Sequence, residues 1–577
     1  MCGIAAVVFD ETRGRDHVEA ILSRMCRAQK SRGPDGTYIW TDGRVGLGMV
    51  RLAIVGSESR GRQPIESPAG GRLIFNGELY SPDKVMSSLG GSFPENECDG
   101  AALLRLLEQR GLEGLSDVSA MFSLALHQTC DDSVLLARDA RGQKPLYRTR
   151  ISGESGIGWA FASTIAALHA VAGPFSVRPE AMQECLIFKS VGGTASAFAE
   201  IDQIPPGGWM RIARDGAVRE GRWFTSQPPG TQQGDTDRVR ELLSEAIRVR
   251  LPSQLRSSIF LSGGLDSSIV AAVAARADEA PTPHVLTIGY DVGGWQDEHS
   301  LAVQLAEELG LQHQSLTVKS DDVPNLLRDT AVALEDPNHD PVVVPTLLLA
   351  QAASRETKVV LTGDGSDEFW GGYARFDDPP RSLEAYLKRT MVFHPEELGL
   401  SSYPSSYLSG IEIPSESSMD SLDRIMRLET ANRLRNYHLS RIDKLTMASG
   451  LEARSPFLDL KVTGYAESLP ATEKRPENRA KGLLVDAFRP LLPRWLLERK
   501  KQPFTVPIES WLEGSLRDFA RDILGGSAFV TDLADPVPLF AGLSSPETAT
   551  PSAQRLWSLL HLEIWHREFA SRMEKAP

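Results

Sequence analysis

Two regimes of hydrophobic patterning divide the chain. Over residues 1–205, short apolar or alternating stretches recur between Gly, Pro and Asp: GIAAVVFD (3–10), GRLIFNGELY (71–80), AMFSLALH (120–127), SVLLARDA (133–140) and GIGWAFAS (156–163). Each has the length of a strand. Between them DGAALLRLLEQR (99–110) sets its leucines on one helical face. The pattern predicts stacked, largely antiparallel sheets with helices, an α+β arrangement over 2–205. A Pro/Gly/Gln-rich stretch, SQPPGTQQGDTD (226–237), reads as a linker, so 206–237 is expected to connect two domains. From 238 to 577 the period changes. SSIFL (257–261), HVLTIGY (284–290) and KVVLTG (358–363) are apolar and β-branched, and helical stretches such as IVAAVAARA (269–277) and LAVQLAEELG (301–310) separate them. That alternation predicts βαβ units on a parallel sheet, an α/β domain. Beyond about 381 the chain reads as helical and irregular, with a Ser/Pro-rich mobile loop expected at 401–418 and an amphipathic helix, QRLWSLLHLEIWHREF, at 554–569.

Composition narrows the function classes. At 577 residues the chain exceeds one core, which stops growing near roughly 250–300 residues, so two large domains are expected. Its 76 acidic against 62 basic residues give −14, a poor match for phosphate backbones, so nucleic acid is not an expected partner. No apolar run approaches the roughly 18 residues of a membrane span. The start lacks a basic n-region and is not read as a signal peptide. Five cysteines form no metal-spaced pair and their odd number argues against a disulfide framework. A soluble, reduced, cytoplasmic protein without a membrane partner is expected.

The first candidate chemistry is Cys2. Removal of Met1 would leave it with a thiol and a free α-amine, which can take the thiol proton and titrates near 8. Behind it stand SRGPDG (31–36), VRLAIV (50–55), FNGELY (75–80) and CDGAALLRLL (98–107). In order and spacing these resemble class II glutamine amidotransferase domains. The resemblance implies an N-terminal-nucleophile (Ntn) hydrolase-type αββα sandwich with Cys2 as nucleophile. By the same resemblance Arg51 clamps the glutamine α-carboxylate, Glu78 and Asp99 hold its α-amine, and Asn76 with the Gly77 N–H forms the oxyanion hole. Two departures stand out: Met49-Val50 where the family carries His-Arg, and Ser163-Thr164-Ile165-Ala166 in place of Ser-Glu-x-Lys.

The second chemistry lies in two loops. SSIFLSGGLDSSIVAAV (257–273) is a strand, a Gly-Gly turn with hydroxyls and a helix, a form suited to anions, with Ser262, Gly263, Gly264, Ser267 and Ser268 as donors without bulk. No Walker-type GxxxxGK[ST] occurs. SGGLDS resembles the pyrophosphate (PP) loop of ATP pyrophosphatases, and VVLTGDGSDEFWGGY (359–373) resembles an element of asparagine synthetases. The resemblance extends the ATP site to Leu261, Ile288, Thr362 and Gly363 and makes Asp266 and Asp367 Mg²⁺ ligands, with Glu368 a further candidate. RIDKLTMASGLEARSPFLD (441–459) and RAKGLL (479–484) also match; they place Lys481 against the activated acyl phosphate and Asp443, Lys444 and Arg454 along the same cleft. Glu335 and Asp336 reverse a family Asp-Glu pair, and either could serve as the base that handles ammonia.

Both halves therefore resemble glutamine-hydrolysing asparagine synthetases. The implied reaction uses glutamine, ATP and Mg²⁺ to amidate a small carboxylic acid, with ammonia passing internally from Cys2 to the adenylated acid. Aspartate is the favoured acceptor; an acid of a specialised pathway, a substituted γ-glutamyl donor and a homodimer stay open. Cys2 speaks against a ring-closing relative that uses no ammonia, and Asp266 with Asp367 against a non-enzymatic sensor.

Overall fold

The computed structural model describes residues 2–56, 60–94, 97–226, 230–292, 299–409, 411, 419–499, 505–526, 529–545 and 547–577. Met1, residues 227–229 of the expected linker, and 410 and 412–418 of the Ser/Pro-rich stretch lie outside them.

The first body stacks two six-stranded sheets. One runs, edge to edge, Asp202–Gln203, Tyr147–Ile151, Gly158–Ala162, Cys2–Phe9, Val45–Arg51 and Gly36–Thr41. The other runs Val218–Arg222, Gly208–Ile212, Ser133–Arg138, Ala120–Gln128, Arg72–Leu79 and Ile65–Glu66. Alternation assigns the faces. Ile4, Ala6 and Val8 pack with Ile74, Ala125 and Leu136 between the sheets, while Ala5, Val7 and Phe9 join Val18, Ile21 and Leu22 of the helix Arg15–Ala28. On the far side, Leu103 and Leu107 of the helix Asp99–Arg110 cover Leu73, Phe75 and Phe122. The layers are helix, sheet, sheet, helix. The body extends past residue 205: Gly208–Ile212 pairs with Ser133–Arg138 and buries Met210 and Ile212 in the inter-sheet core, so the expected connector begins with two strands.

The second body carries a five-stranded parallel sheet in the order His313–Val318, His284–Tyr290, Ser258–Phe260, Val359–Leu361 and Glu452–Arg454. The first of these in sequence, Ser258–Phe260, is central. The winding reverses between it and Val359–Leu361, the switch point at which open α/β sheets form a crevice beyond their carboxyl ends. The helix Ala549–Trp565 was expected to be amphipathic. From Leu556 to Trp565 it is buried all round, wedged against the helices Pro179–Phe188 and Val323–Leu334. Within 401–418, the turn Ser405–Leu408 is anchored, with Tyr407 stacked 3.8 Å from Phe188.

Candidate active sites

Cys2 opens a central strand whose register sets Arg51 directly opposite, so the two side chains share one face of the sheet. Across the inter-sheet space the Cys2 N–H donates to Asn76 Oδ1 at 3.1 Å. That bond fixes which end of the amide meets Cys2 and leaves Asn76 Nδ2 buried with no acceptor among the described residues, a donor that an oxyanion would satisfy. Asn76 and Gly77 lie in mid-strand rather than in a hairpin turn. Gly77 faces Phe122, and a Cβ on it would come within 2.0 Å of the Met121 carbonyl oxygen. Arg51 is buried; its Nη2 donates to the Val55 and Gly56 carbonyls, both at 3.1 Å, and a Cβ on Gly61 would lie 1.9 Å from that nitrogen. Asp99, at the start of its helix, accepts the Leu79 N–H at 2.7 Å.

Burial governs the electrostatics here. It pushes the Cys2 thiol up, only partly offset by the Leu52 N–H and Arg51, so a reactive thiolate needs a base beside it. Burial lifts Asp99 to about 6 although the Leu79 N–H opposes it. It lifts Glu78 to about 8 against the pull of Arg454, with Asp99 adding to the rise. Both carboxyls are thus held above the ordinary carboxylate range.

At the switch point two loops meet. The helix Leu265–Ala274 starts on Gly264, and Gly263 takes the left-handed φ of +76° that the turn requires. Ser267 Oγ accepts the Ser262 N–H at 3.2 Å and lies 3.1 Å from Ser262 Oγ, while Ser268 Oγ donates to the Gly264 carbonyl at 2.7 Å. Leu261 precedes this turn, and Ile288 lies in the adjoining strand. From the neighbouring loop Gly363 closes on the helix start, where a Cβ would come 2.8 Å from the Asp266 Cβ. Thr362 donates its N–H to the Arg454 carbonyl at 3.0 Å.

Lys481 arrives from more than a hundred residues downstream. It is 2% exposed, at φ +53°, with Nζ 2.6 Å from both Asp266 Oδ1 and Asp367 Oδ1. Against the cost of burial these carboxylates hold its ammonium above the ordinary range. Glu368 is turned away from the pair: it accepts the Tyr373 hydroxyl at 2.5 Å and faces His438. Asp364, in the same loop, faces Arg441 and Asp266. Burial raises its carboxyl, Arg441 at 3.6 Å opposes the rise, and Asp266 adds to it.

Glu335 and Asp336 sit at the boundary between the bodies. Glu335 accepts the N–H groups of Ile165 and Ala166, both at 3.0 Å, and pairs with Lys444. Asp336 accepts the Tyr147 hydroxyl at 2.9 Å and the Ala197 N–H at 2.8 Å. The altered 163–166 segment and the reversed acidic pair thus touch each other. The expectation that Asp443, Lys444 and Arg454 line the ATP cleft is corrected, because their helix and strand form the face on which the first body docks. Asp443 is clamped by Arg32 at 2.9 Å and Lys144 at 3.2 Å, and Arg454 reaches Glu78 at 3.2 Å. Arg32 also donates to the Cys2 carbonyl at 3.3 Å, a link from the synthetase body to the candidate nucleophile that no local sequence pattern signals.

Comparison with known proteins agrees with this two-centre plan. Residues 1–224 match the family model described as glutamine amidotransferase domain, and residues 238–567 the one described as asparagine synthase. The chain is 26% identical to "Asparagine synthetase [glutamine-hydrolyzing] 1" of Bacillus subtilis, over 98% of this chain and 96% of that protein. It is 28% identical to a "Putative asparagine synthetase [glutamine-hydrolyzing]" of Mycobacterium tuberculosis, over 99% and 97%. It is also 24% identical to "Amidase chry2" of Gibberella zeae, over 89% and 90%.

Proposed function

Because the chain belongs to the asparagine synthase family, with a glutamine amidotransferase domain ahead of the synthase domain, we propose that it hydrolyses glutamine at Cys2 and uses the ammonia to amidate an adenylated small carboxylic acid, aspartate before others. The observation that carries the synthetase half is the convergence of Asp266, Asp367 and Lys481 at the switch point. In this reading the first body is an Ntn-hydrolase-type sandwich and the second a PP-loop ATP pyrophosphatase.

The steps follow from the residues. Arg51 takes the glutamine α-carboxylate, and Glu78 with Asp99 takes the α-ammonium. The α-amine freed by loss of Met1 accepts the Cys2 thiol proton, the sulfur attacks the side-chain amide, and Asn76 Nδ2 donates to the oxyanion. Collapse of the tetrahedral adduct expels ammonia, and water releases glutamate from the thioester. At the second centre the Ser262–Ser268 turn receives the ATP phosphates and the acid attacks the α-phosphorus, expelling pyrophosphate. Lys481 stabilises the charge gathering on the acyl phosphate, and ammonia displaces AMP. The all-oxygen donors Asp266 and Asp367, close enough to share one ammonium, suit a hard cation, and Mg²⁺ held there would neutralise phosphate charge. Glu335 or Asp336, both engaged at the domain boundary, is the carboxylate that takes the proton from the ammonia adduct.

The acceptor is tested by acid-dependent pyrophosphate release at saturating MgATP and ammonia, first with aspartate and then with larger acids. Release with aspartate supports asparagine synthesis. Release with another acid and none with aspartate gives the second reading, amidation in a specialised pathway, which the altered 163–166 and 335–336 segments and the amidase relative favour.

A further inference from the structure

Glu452 opens the synthetase strand Glu452–Arg454, yet its carboxylate lies inside the glutaminase centre. It is 0% exposed, and contacts bracket it on both sides. Arg454 donates its Nε to Glu452 Oε1 at 2.5 Å and sets Nη2 3.2 Å from Glu78 Oε1. On the other side Lys144 Nζ donates to the Ala453 carbonyl at 3.5 Å and to Asp443, which Arg32 joins to the Cys2 carbonyl. Three groups already placed in this centre respond to Glu452. Its charge adds to the rise that burial imposes on the Cys2 thiol, Glu78 and Asp99.

Three acids therefore share one buried cluster, and they differ in what they can hold. Burial lifts Glu78 to about 8 and Asp99 to about 6, so near neutrality the first is largely protonated and the second close to its midpoint. Glu452 goes the other way. Burial opposes its ionisation, but Arg454 and the α-amine at the start of the chain, with Lys144 behind them, hold it at about 2. Of the three it is the one that stays an anion at every working pH. The other cations nearby are committed: Arg32 and Lys144 to Asp443, and Arg51 to the Val55 and Gly56 carbonyls.

We propose that Glu452 is a positioning residue for glutamine hydrolysis, lent by the synthetase body: its carboxylate holds the Cys2 α-amine and stabilises the ammonium formed when that amine takes the thiol proton. The proposal rests on the reading of Cys2 as a nucleophile freed by loss of Met1, which transfers the amine to the residue whose thiol already responds to Glu452. In the step an S–H bond breaks and an N–H bond forms, turning a neutral pair into thiolate and ammonium. A fixed carboxylate on the nitrogen favours that separation of charge. Glu452 also repels the thiolate, but more weakly, since the α-amine and the Leu52 N–H both weigh more on the sulfur. Asn76 Oδ1, which accepts the Cys2 N–H at 3.1 Å, gives the ammonium a second acceptor. Because Glu452 belongs to the synthetase body, the glutaminase centre is complete only where the two bodies are docked.

The test is glutamate release by the full chain, with Met1 removed, from about pH 5 to about pH 9, for wild type, Glu452→Gln and Glu452→Asp. Removing an anion lowers the pKa of its neighbours, so the acid limb of kcat should move to lower pH by about one unit in Glu452→Gln. On the plateau kcat should fall by about 10²-fold, with the glutamine KM within about threefold of wild type. Glu452→Asp keeps the charge and should leave the limb at its wild-type pH while kcat falls by less. A side chain that only packs would lower kcat without moving the limb. Iodoacetamide alkylation of Cys2 over the same range reads the thiol–amine pair without glutamine, and its midpoint should move with the limb. Should Glu452→Gln not fold, the crystal structure of the wild-type chain after Met1 removal decides. A Glu452 carboxylate within hydrogen-bond reach of the Cys2 nitrogen upholds the proposal, and one turned wholly to Arg454 overturns it. An unmoved limb and midpoint, or a kcat within about threefold of wild type, also overturns it. Wild type that releases no glutamate would instead overturn the reading of Cys2, and the proposal with it.

Discussion

Replacing Asp443 by Asn should loosen the glutaminase centre from a distance while sparing the synthetase centre. Asp443 is 2% exposed and accepts from Arg32 at 2.9 and 3.3 Å and from Lys144 at 3.2 Å. Arg32 and Lys144 hold its carboxyl below the ordinary range despite burial, so its contribution is full at pH 7 and is lost only as pH falls through that depressed value. Asn removes the charge and leaves two buried cations facing an amide, one end of which is a donor. Breaking a buried ion pair from one side costs about 3–5 kcal/mol, a large share of a typical stability of about 5–15 kcal/mol. Arg32 also holds the Cys2 carbonyl, so its displacement should shift the nucleophile, and a shift near 1 Å costs about a hundredfold in rate. The assay pairs urea unfolding with initial rates on glutamine and on ammonia. We expect a midpoint shift equivalent to about 3–5 kcal/mol, a fall in glutamine-dependent rate of about 10- to 100-fold, and an ammonia-dependent rate within about threefold of wild type. The cycle with Arg32→Met should be strongly non-additive. A loss under about 1 kcal/mol, or additivity in the cycle, would refute the clamp.

Other outcomes follow from the same geometry. Cys2→Ala should abolish glutamine-dependent amidation and leave the ammonia-dependent rate near wild type; loss of both in folded protein would refute separate centres. Lys481→Met, which strips the shared cation from Asp266 and Asp367, should cut acid-dependent pyrophosphate release by about 10²–10³ and leave glutaminase activity intact, measured by coupled pyrophosphate and glutamate assays. His561 is buried with both ring nitrogens unpartnered among the described residues, and burial lowers it from 6.5 to about 4. The unfolded chain takes up the proton first, so stability is full above pH 6.5 and falls by up to about 3 kcal/mol as pH drops toward 4. The urea midpoint of wild type should fall relative to that of His561→Phe as pH goes from 7 to 4; parallel curves would contradict the assignment.

Much of both centres was legible because their chemistry is local. The turn Ser262–Ser268 needs only its own glycines and hydroxyls, and Cys2 needs only its place in the chain. The acidic loop was half legible: Asp367 and Glu368 are adjacent in sequence, yet one turn of helix sends the first to Lys481 and the second to Tyr373. Asp364 gave no signal apart from its neighbours until the fold set it against Asp266 and Arg441. The strand Val218–Arg222 escaped notice because VREGR is an edge strand with no buried face to impose alternation. Arg454 and Asp443 were misjudged for a common reason. Each is occupied by a partner on the other body, and docking between bodies leaves no period in either sequence.

The central claim, that glutamine nitrogen is delivered to an adenylated acid at a second centre, is tested most directly by isotope and product balance. The protein is given [amide-¹⁵N]glutamine, MgATP and the acid that supports pyrophosphate release, with unlabelled ammonium in the medium. The geometry predicts one AMP for each amide formed, and an amide nitrogen that is predominantly ¹⁵N. ADP and phosphate as the products, or an amide carrying the label of the bulk ammonium, would contradict it.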